Sequence, residues 1–279
     1  MKVAIITDST AVMNEKYVQE NDNLFVVPLQ ILVNDDVYKD GVDITPSRFF
    51  DLMDEVEVLP STSQPSVGDV LQLFKELKKI YDEILYITLS SKISGTYQTG
   101  MLAKNEMSNI KIEVFDSLNT SVIQKAMTEK AIEMANQGEN VDNIINALEG
   151  MRDNSSIYLV VDDLKHLGRT GRVNNLSAVV GALLKIKPIL CFEDGFINLA
   201  KKVRTLNKAH NEIVDILDSS EIKESSKIMI AHAKGWNHLE KLESQILEKY
   251  PDKTIEVSEL SPVISVHTGP NTVGIAWIK

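Results

Sequence analysis

The sequence predicts an α/β protein of two domains: an N-terminal domain with a mostly parallel sheet and helices on both faces, and a C-terminal domain with a mixed or antiparallel sheet. Its 279 residues exceed one ordinary domain, and 43% of them are hydrophobic, enough to fill two cores. Short apolar runs alternate with segments of helical period in the first half, as in strand–helix–strand units. The polar segment 153–156 marks the boundary, which gives domains at 1–155 and 156–279.

The elements of the first half follow from this alternation. We expect strands at 3–7, 24–33, 83–89 and 111–115, and helices at 45–52, 66–80, 94–107, 119–135 and 141–151. Thr45-Pro46 combines a capping residue with a proline suited to the first helical turn, which indicates where a helix starts. Asp40-Gly41 indicates a turn. Since the strands in such units run parallel, their carboxyl ends meet at one edge of the sheet.

The second half is less regular. We expect strands at 157–161, 188–192, 196–203, 227–233, 253–259 and 272–278, and helices at 206–217 and 238–249. Glu193-Asp194-Gly195 is a hairpin signal between two of these strands. Residues 162–172 are polar and punctuated by glycine, which predicts a loop. Residues 176–186 are apolar on nearly all sides, which predicts a buried helix.

Composition and charge limit the function. The net charge of −11 argues against nucleic acid as a partner. Between residues 165 and 204, however, eight basic and two acidic residues give a local charge of +6, either a solvated surface or a docking face. No run of eighteen apolar residues occurs, the start lacks a cleavage site of signal-peptide type, and Cys191 is the single cysteine, so we expect a cytoplasmic protein. With five scattered histidines, neither a metal site nor a cofactor is expected.

Hydroxyl-rich segments occur where strands of this fold should end. They are 61–66, 90–97 and 265–270, joined by Asp8-Ser9 and Asp116-Ser117. Each alone is typical of helix capping. Together at one edge, short hydroxyls and free N–H groups favour a site that holds the oxygens of an anion.

Motifs for nucleotide binding and covalent catalysis are missing. No glycine-rich dinucleotide fingerprint and no phosphate-binding loop with its lysine is present. Ser94 lacks the glycines of a nucleophile elbow, since Lys92 and Thr96 occupy those positions. Two alternatives remain open: a serine hydrolase or acyltransferase that uses Ser94 with His267 as base and Asp116 or Asp8 as orienting group, and a binder of a phosphorylated metabolite.

The ordered motifs of this chain resemble those of the DegV family, bacterial fatty acid-binding proteins that include the FakB-type subunits of fatty acid kinase. The motifs that carry the resemblance are Asp8-Ser9, 62–66, 89–98, Asp116-Ser117, 164–173, Lys187-Pro188 and 267–270. One position departs from the pattern, because Asn271 stands where the family usually has a second glycine. Asparagine tolerates the left-handed backbone better than most residues, so the turn is expected to survive.

The resemblance implies a fatty acid clamped between the two domains, with its carboxylate held by Thr62 and Ser94 and by a second group of Arg204 and His267. The N–H of Gly95 fits the same role, since a buried carboxylate offers about four acceptor positions. Further supporting positions are Asp8, Ser9, Ser63, Thr96, Asp116 and Thr268. The helix at 176–186 is then either a tunnel wall or plain core.

The resemblance also implies a binding protein that is not itself an enzyme. It would present a long-chain fatty acid to an ATP-binding partner, a fatty acid kinase, which makes the acyl phosphate. Contact with a membrane would be transient at most. Arg169 and Arg172, set among glycines, are expected to dock that kinase and to gate the ligand.

Overall fold

The computed structural model describes residues 1–56, 58–162, 164–174 and 186–279. The strands are β1 Val3–Asp8, β2 Leu24–Val27, β3 Gln30–Val33, β4 Asp36–Lys39, β5 Ser61–Ser63, β6 Glu83–Thr88, β7 Lys111–Asp116, β8 Ser155–Val160, β9 Lys187–Glu193, β10 Phe196–Val203, β11 Lys227–Ala233, β12 Ile255–Glu259 and β13 Thr272–Ile278. The helices are α1 Glu15–Glu20, α2 Pro46–Glu55, α3 Val67–Leu77, α4 Thr96–Asn105, α5 Ser121–Asn136, α6 Val141–Asp153, α7 Lys165–Thr170, α8 Leu206–Ser219, α9 Trp236–Lys249 and α10 Pro262–Thr268. None of these helices is long and apolar enough to cross a membrane.

The first half contains a parallel sheet of order β2-β1-β6-β7. Every residue of β1 and β6 is buried, because helices cover both faces of the sheet. One face packs on α3 and α4 through a cluster that includes Phe74 and Tyr86. The opposite face packs on α5 and α6 through residues such as Ile123 and Leu148. The predicted parallel sheet with helices on both faces is confirmed.

The second half forms a mixed sheet of order β10-β9-β8-β13-β11-β12, with β11 and β12 parallel and the other neighbours antiparallel. Helices α8 and α9 cover one face over a cluster that contains Trp277. The predicted hairpin joins β9 to β10, and Asp194 and Gly195 both take positive φ, 51° and 80°. Positive φ at both central residues gives a turn whose twist matches the flanking strands. The mixed sheet is confirmed. The domain boundary at 155/156 stays a prediction, and sheet membership changes at β8.

The prediction of one long strand at 24–33 is wrong. Strand β2 pairs with β1 as far as Val27, and β3 resumes at Gln30 in a separate antiparallel sheet with β4 and β5. Pro28 lies between the two strands. It has no N–H to donate to a ladder, so pairing stops there and the chain can change sheets.

Two segments predicted as non-helical are helices. The loop predicted at 162–172 contains α7, which buries Leu167 and ends at Gly171 with φ of 68°. The segment expected to end a strand before Gly269 forms α10, started by the Ser261 cap and Pro262 in the first turn. Ser261-Pro262 is the same pattern as Thr45-Pro46, a hydroxyl cap followed by proline. It was not recognised because the apolar residues around it resemble a strand. The helix predicted at 176–186 lies outside the described residues, apart from its last position.

Helix α5 lies between the two large sheets. It contacts β1 and β6 on one side and β11 and β13 on the other. Lys125 pairs with Glu256 of β12 at 2.5 Å, and Lys227 of β11 pairs with Glu129 at 3.2 Å and with Glu256 at 2.8 Å. The Lys125 side chain is 13% exposed, so this ion pair is shielded and links the two halves of the chain.

We expect Lys125→Met to lower the free energy of unfolding by about 2 kcal/mol. Breaking a buried ion pair costs about 3–5 kcal/mol and breaking a surface pair about 0–1 kcal/mol, and this pair is partly buried. Lys130→Met is the matched control on the same helix, because Lys130 pairs with Glu133 at 3.0 Å in an exposed position. Urea unfolding of both variants measures the difference. Equal losses of stability in the two variants would contradict the linking role of Lys125.

Candidate functional site

A cavity with about 980 Å³ of unoccupied space, its open mouth included, lies between the second sheet and the loops of the first half. Both halves of the chain contribute walls. The apolar lining includes Leu89, Ile93, Val122, Phe192, Leu260 and Ile264.

Small residues on adjacent strands make the floor of the cavity. Gly274 of β13 lies between Leu159 of β8 and Ala231 of β11 in the strand register, and Ala276 lies opposite Ile157. All five line the cavity. Because this row includes a glycine and two alanines, the sheet face cannot fill the space above it. The result is an apolar trough.

Thr62 and His267 join two elements at the polar part of the cavity. Thr62 is held in β5 by pairing with Ile31 of β3, and His267 lies in the last turn of α10. Their side chains meet, with Thr62 Oγ1 2.8 Å from His267 Nε2. Both residues line the cavity, as predicted for the carboxylate site.

Ser94 and Gly95 lie beside them, at the start of α4. Ser94 Oγ is 2.9 Å from Thr96 Oγ1 and accepts the Thr96 N–H at 3.3 Å. Gly95 is the N-cap position of α4 and packs against Gln64: a Cβ at Gly95 would lie 2.9 Å from Gln64 Nε2. A side chain at position 95 would therefore require the flexible end of Gln64 to move. Ser94, Gly95 and Gln64 line the cavity, whereas Thr96 is buried behind it.

Arg172 belongs to the cavity lining. Its Nε donates to the Ile93 carbonyl at 3.3 Å, and its Nη1 donates to the Thr170 carbonyl. The expectation that Arg172 lies on a mobile loop is corrected, because the guanidinium is half-buried and hydrogen-bonded next to Ser94. Its predicted role in docking and gating stays a prediction. Arg169 is exposed on α7.

His267 is neutral at ordinary pH. Burial, and then the positive charge of Arg172 and the neighbouring His166, lower the pKa of His267 from 6.5 to about 4. Among the described lining residues, Arg172 is the one permanent cation and no carboxylate occurs. The polar part of the cavity therefore favours a single anion.

Three of the predicted supporting residues, Asp8, Ser9 and Asp116, hold loops and do not line the cavity. Asp8 is fully buried and accepts the N–H groups of Thr10 and Leu89, at 3.1 Å and 2.7 Å. Ser9 donates to Asp40 at 2.7 Å, and Asp116 accepts the Ser91 and Leu118 N–H groups. Ser63 and Thr268 do line the cavity.

Arg204 is not brought to this site. It lies exposed in the turn between β10 and α8, beside the Thr205 cap, and does not line the cavity. Local sequence around Arg204 offered no periodicity that would orient the side chain, so only the tertiary structure could place it. The arginine that lines the cavity is Arg172.

The geometry of a serine hydrolase is not present among the described contacts. Ser94 hydrogen-bonds Thr96 and His267 hydrogen-bonds Thr62, so nucleophile and base are not joined. Asp8 and Asp116, the two candidates for an orienting group, make their hydrogen bonds to loop N–H groups.

The sequence analysis missed Thr120 and Ser121, which line the cavity at the start of α5. They follow β7 at the same sheet edge as Asp116-Ser117, so their position was an available signal. Gly274 was also missed. A lone glycine within a strand pattern indicates close backbone approach or a ligand, and this one lies on the cavity floor.

These features define an α/β protein with a mostly apolar cavity whose described lining includes one permanent cation, Arg172. The family model of DegV, described as an uncharacterised protein family, matches residues 2–279, and the chain belongs to the DegV family. A DegV domain-containing protein of Listeria monocytogenes is 36% identical over 99% of this chain and 98% of its own length. Protein DegV of Bacillus subtilis is 34% identical over 99% of both chains.

Solved structures agree with this family membership. A DegV family protein from Thermus thermophilus, described with fatty acid binding, matches with a TM-score of 0.93 and 28% identity over 100% of both chains. DegV of Bacillus subtilis, described as a fatty acid binding protein, matches with a TM-score of 0.90 and 34% identity over 100% of this chain and 99% of that one. The family predicted from the sequence is confirmed.

His267→Gln is expected to make stability less sensitive to acid. Between pH 6.5 and about 4 the unfolded chain protonates His267 while the folded chain does not, so the free energy of unfolding falls as pH is lowered. Wild type should lose about 2–3 kcal/mol more than the variant between about pH 7 and pH 4.5. Urea unfolding at both pH values measures this difference, and parallel losses would show that His267 titrates normally.

Proposed function

We propose that this protein binds a long-chain fatty acid, with the carboxylate at Thr62, Ser94, Gly95, His267 and Arg172 and the acyl chain in the apolar cavity. The observation that carries the proposal is the half-buried Arg172 among hydroxyls at one part of a mostly apolar cavity, where it is the one permanent cation among the described lining residues. The family members from Thermus thermophilus and Bacillus subtilis, described as fatty acid-binding, support it.

The hydroxyl protons of Thr62 and Ser94 can both be donated to a ligand, because each hydroxyl oxygen can accept a hydrogen bond from its neighbour. In the His267 tautomer with the proton on Nε2, the ring donates to Thr62 Oγ1, and the Thr62 proton can point at a carboxylate. If Thr96 donates to Ser94, the Ser94 proton is available in the same way. Two hydroxyls and the Arg172 guanidinium then meet the needs of one buried carboxylate.

The acyl chain supplies most of the affinity. Each buried methylene contributes about 0.8 kcal/mol, so a chain of roughly sixteen carbons contributes on the order of 12 kcal/mol before the costs of binding. Each hydrogen bond to the head group adds about 1–3 kcal/mol. The polar cluster therefore fixes orientation and selects acids, while the cavity sets affinity.

We further propose that the protein acts without catalysis of its own, in the cytoplasm, and presents the acid to an ATP-dependent fatty acid kinase. The kinase transfers phosphate to the carboxylate and forms the acyl phosphate. Support comes from the basic segment: Arg169, Lys202 and Arg204 are exposed and suit an acidic partner surface. A phosphorylated metabolite would leave the apolar trough without a counterpart.

Thr62→Ala and Ser94→Ala should each weaken fatty acid binding by about 1–3 kcal/mol, because each removes one head-group donor. Displacement of a fluorescent fatty acid measures the change, and native mass spectrometry identifies the acid that purifies with the protein. Ser108→Ala is the control, because Ser108 is exposed in the loop between α4 and β7 and does not line the cavity. Parent-like affinity in both variants, with unchanged melting, would refute the head-group assignment.

Arg169 and Arg172 separate the two proposed steps. Arg169→Glu should slow acyl phosphate formation by the kinase at low ionic strength, with fatty acid affinity unchanged, because exposed charge acts on association rate and is screened by salt. Arg172→Gln should instead weaken the binding of the acid in the absence of the kinase. A wild-type rate for Arg169→Glu at low salt would remove Arg169 from the docking surface.

A further inference from the structure

The start of α5 presents two hydroxyls to the cavity that have no use in the proposed carboxylate site. Thr120 is 7% exposed and Ser121 is 5% exposed, and both line the cavity. Within the described part of the chain, neither Thr120 Oγ1 nor Ser121 Oγ has a hydrogen-bond partner. Buried hydroxyls are normally satisfied, so two adjacent exceptions on a cavity wall point to a ligand.

The start of helix α5 gives a second reason to expect a ligand beside Thr120 and Ser121. Thr120 is the N-cap residue of the sixteen-residue helix α5, yet its side chain makes no capping bond. At the caps of α2, α3, α6 and α8, in contrast, a side-chain oxygen accepts a first-turn N–H. The Thr120 hydroxyl therefore leaves the first-turn N–H groups of α5 without a side-chain acceptor, and that turn keeps its partial positive charge.

This pair is separate from the polar cluster around Arg172. That cluster is continuous, since Thr62 bonds His267 and Arg172 bonds the carbonyl of Ile93, next to Ser94. Among the described residues no hydrogen bond joins Thr120 or Ser121 to it. An unsubstituted acyl chain along this wall would leave both hydroxyls facing methylene groups, which is unfavourable in an apolar cavity.

We propose that Thr120 and Ser121 form a second polar subsite, which binds an oxygen carried on the acyl chain, so that the preferred ligands are hydroxy or oxo fatty acids. This rests on the proposed fatty acid function. A neutral oxygen fits because no charged side chain accompanies the pair among the described lining residues other than Arg172. An acyl hydroxyl can accept from one of the two side chains and donate to the other, which satisfies all three groups.

The test compares stearic acid with positional isomers of hydroxystearic acid by displacement of a fluorescent fatty acid. For wild type, the affinity of the hydroxy acid relative to stearic acid should peak at one position of the hydroxyl. Ser121→Ala and Thr120→Val should lower that peak ratio by roughly 5- to 30-fold, the loss expected for one to two hydrogen bonds. Thr128→Val is the control, a buried threonine on α5 that bonds Gln124 O and does not line the cavity.

The outcomes separate this subsite from the function on which it rests. If stearic acid and every isomer fail to bind wild type, the proposed function fails. If stearic acid binds but the relative affinity is flat along the chain, or the peak survives in both variants, the subsite is refuted and the hydroxyls serve a water. If Ser121→Ala weakens stearic acid as much as the best hydroxy acid, the carboxylate itself lies at α5, which also overturns the subsite.

Discussion

The position of α5 between the two sheets is the constraint on which the cavity depends. Gln124 is completely buried and faces the first sheet: its Oε1 accepts from Thr10 at 2.9 Å and its Nε2 donates to Thr7 at 3.2 Å. Lys125, the next residue, pairs with Glu256 in the second sheet. A buried amide must satisfy its hydrogen bonds, so both the rotation and the depth of α5 are fixed. The first turn of the helix is thereby held against the cavity.

Buried carboxylates beside β1 hold the loops that carry the polar cluster. Asp8 binds the N–H of Leu89, where β6 ends and the loop to Ser94 begins. Burial raises the pKa of Asp8, and the hydrogen bonds from Thr10, Leu89 and Gln124 oppose this rise. Burial likewise raises the pKa of Asp40 to about 6, against its hydrogen bond from Ser9. Both acids lie outside the cavity lining, so they position the site without adding negative charge to it.

The sequence predicted those parts of the fold that local pattern determines. Strands β1, β6 and β7 and helices α3, α5 and α6 stand out because burial on both faces or on one stripe leaves a clear period. Strand β5 was not predicted, since its three residues are polar and form a strand only because β3 offers an edge. Thr62 and Ser94 were recognisable by motif. Which arginine lines the cavity was not recognisable from the sequence, because the positions of Arg172 and Arg204 depend on how α7 packs against α10.

One glycine permits that packing. Gly269, with φ of 74°, ends α10, and a Cβ there would lie 2.7 Å from the ring of His166 in α7. The close approach of the two helices brings the residues after α7, and with them Arg172, to the cavity wall. Asn271, with φ of 58°, adopts the left-handed backbone that the family's usual glycine would take there, so this turn survives the substitution.

The charge balance of the cavity explains why an acid should bind in preference to a neutral lipid. Arg172 is half-buried, and among the described residues its partners are the neutral carbonyls of Ile93 and Thr170. His267 cannot balance that charge and is itself uncharged above about pH 4. An ester or alcohol would therefore leave a partly desolvated guanidinium without a counter-charge, which is unfavourable. A carboxylate supplies that charge. A carboxylate bound here would also be a nearby negative charge that favours the protonated form of His267.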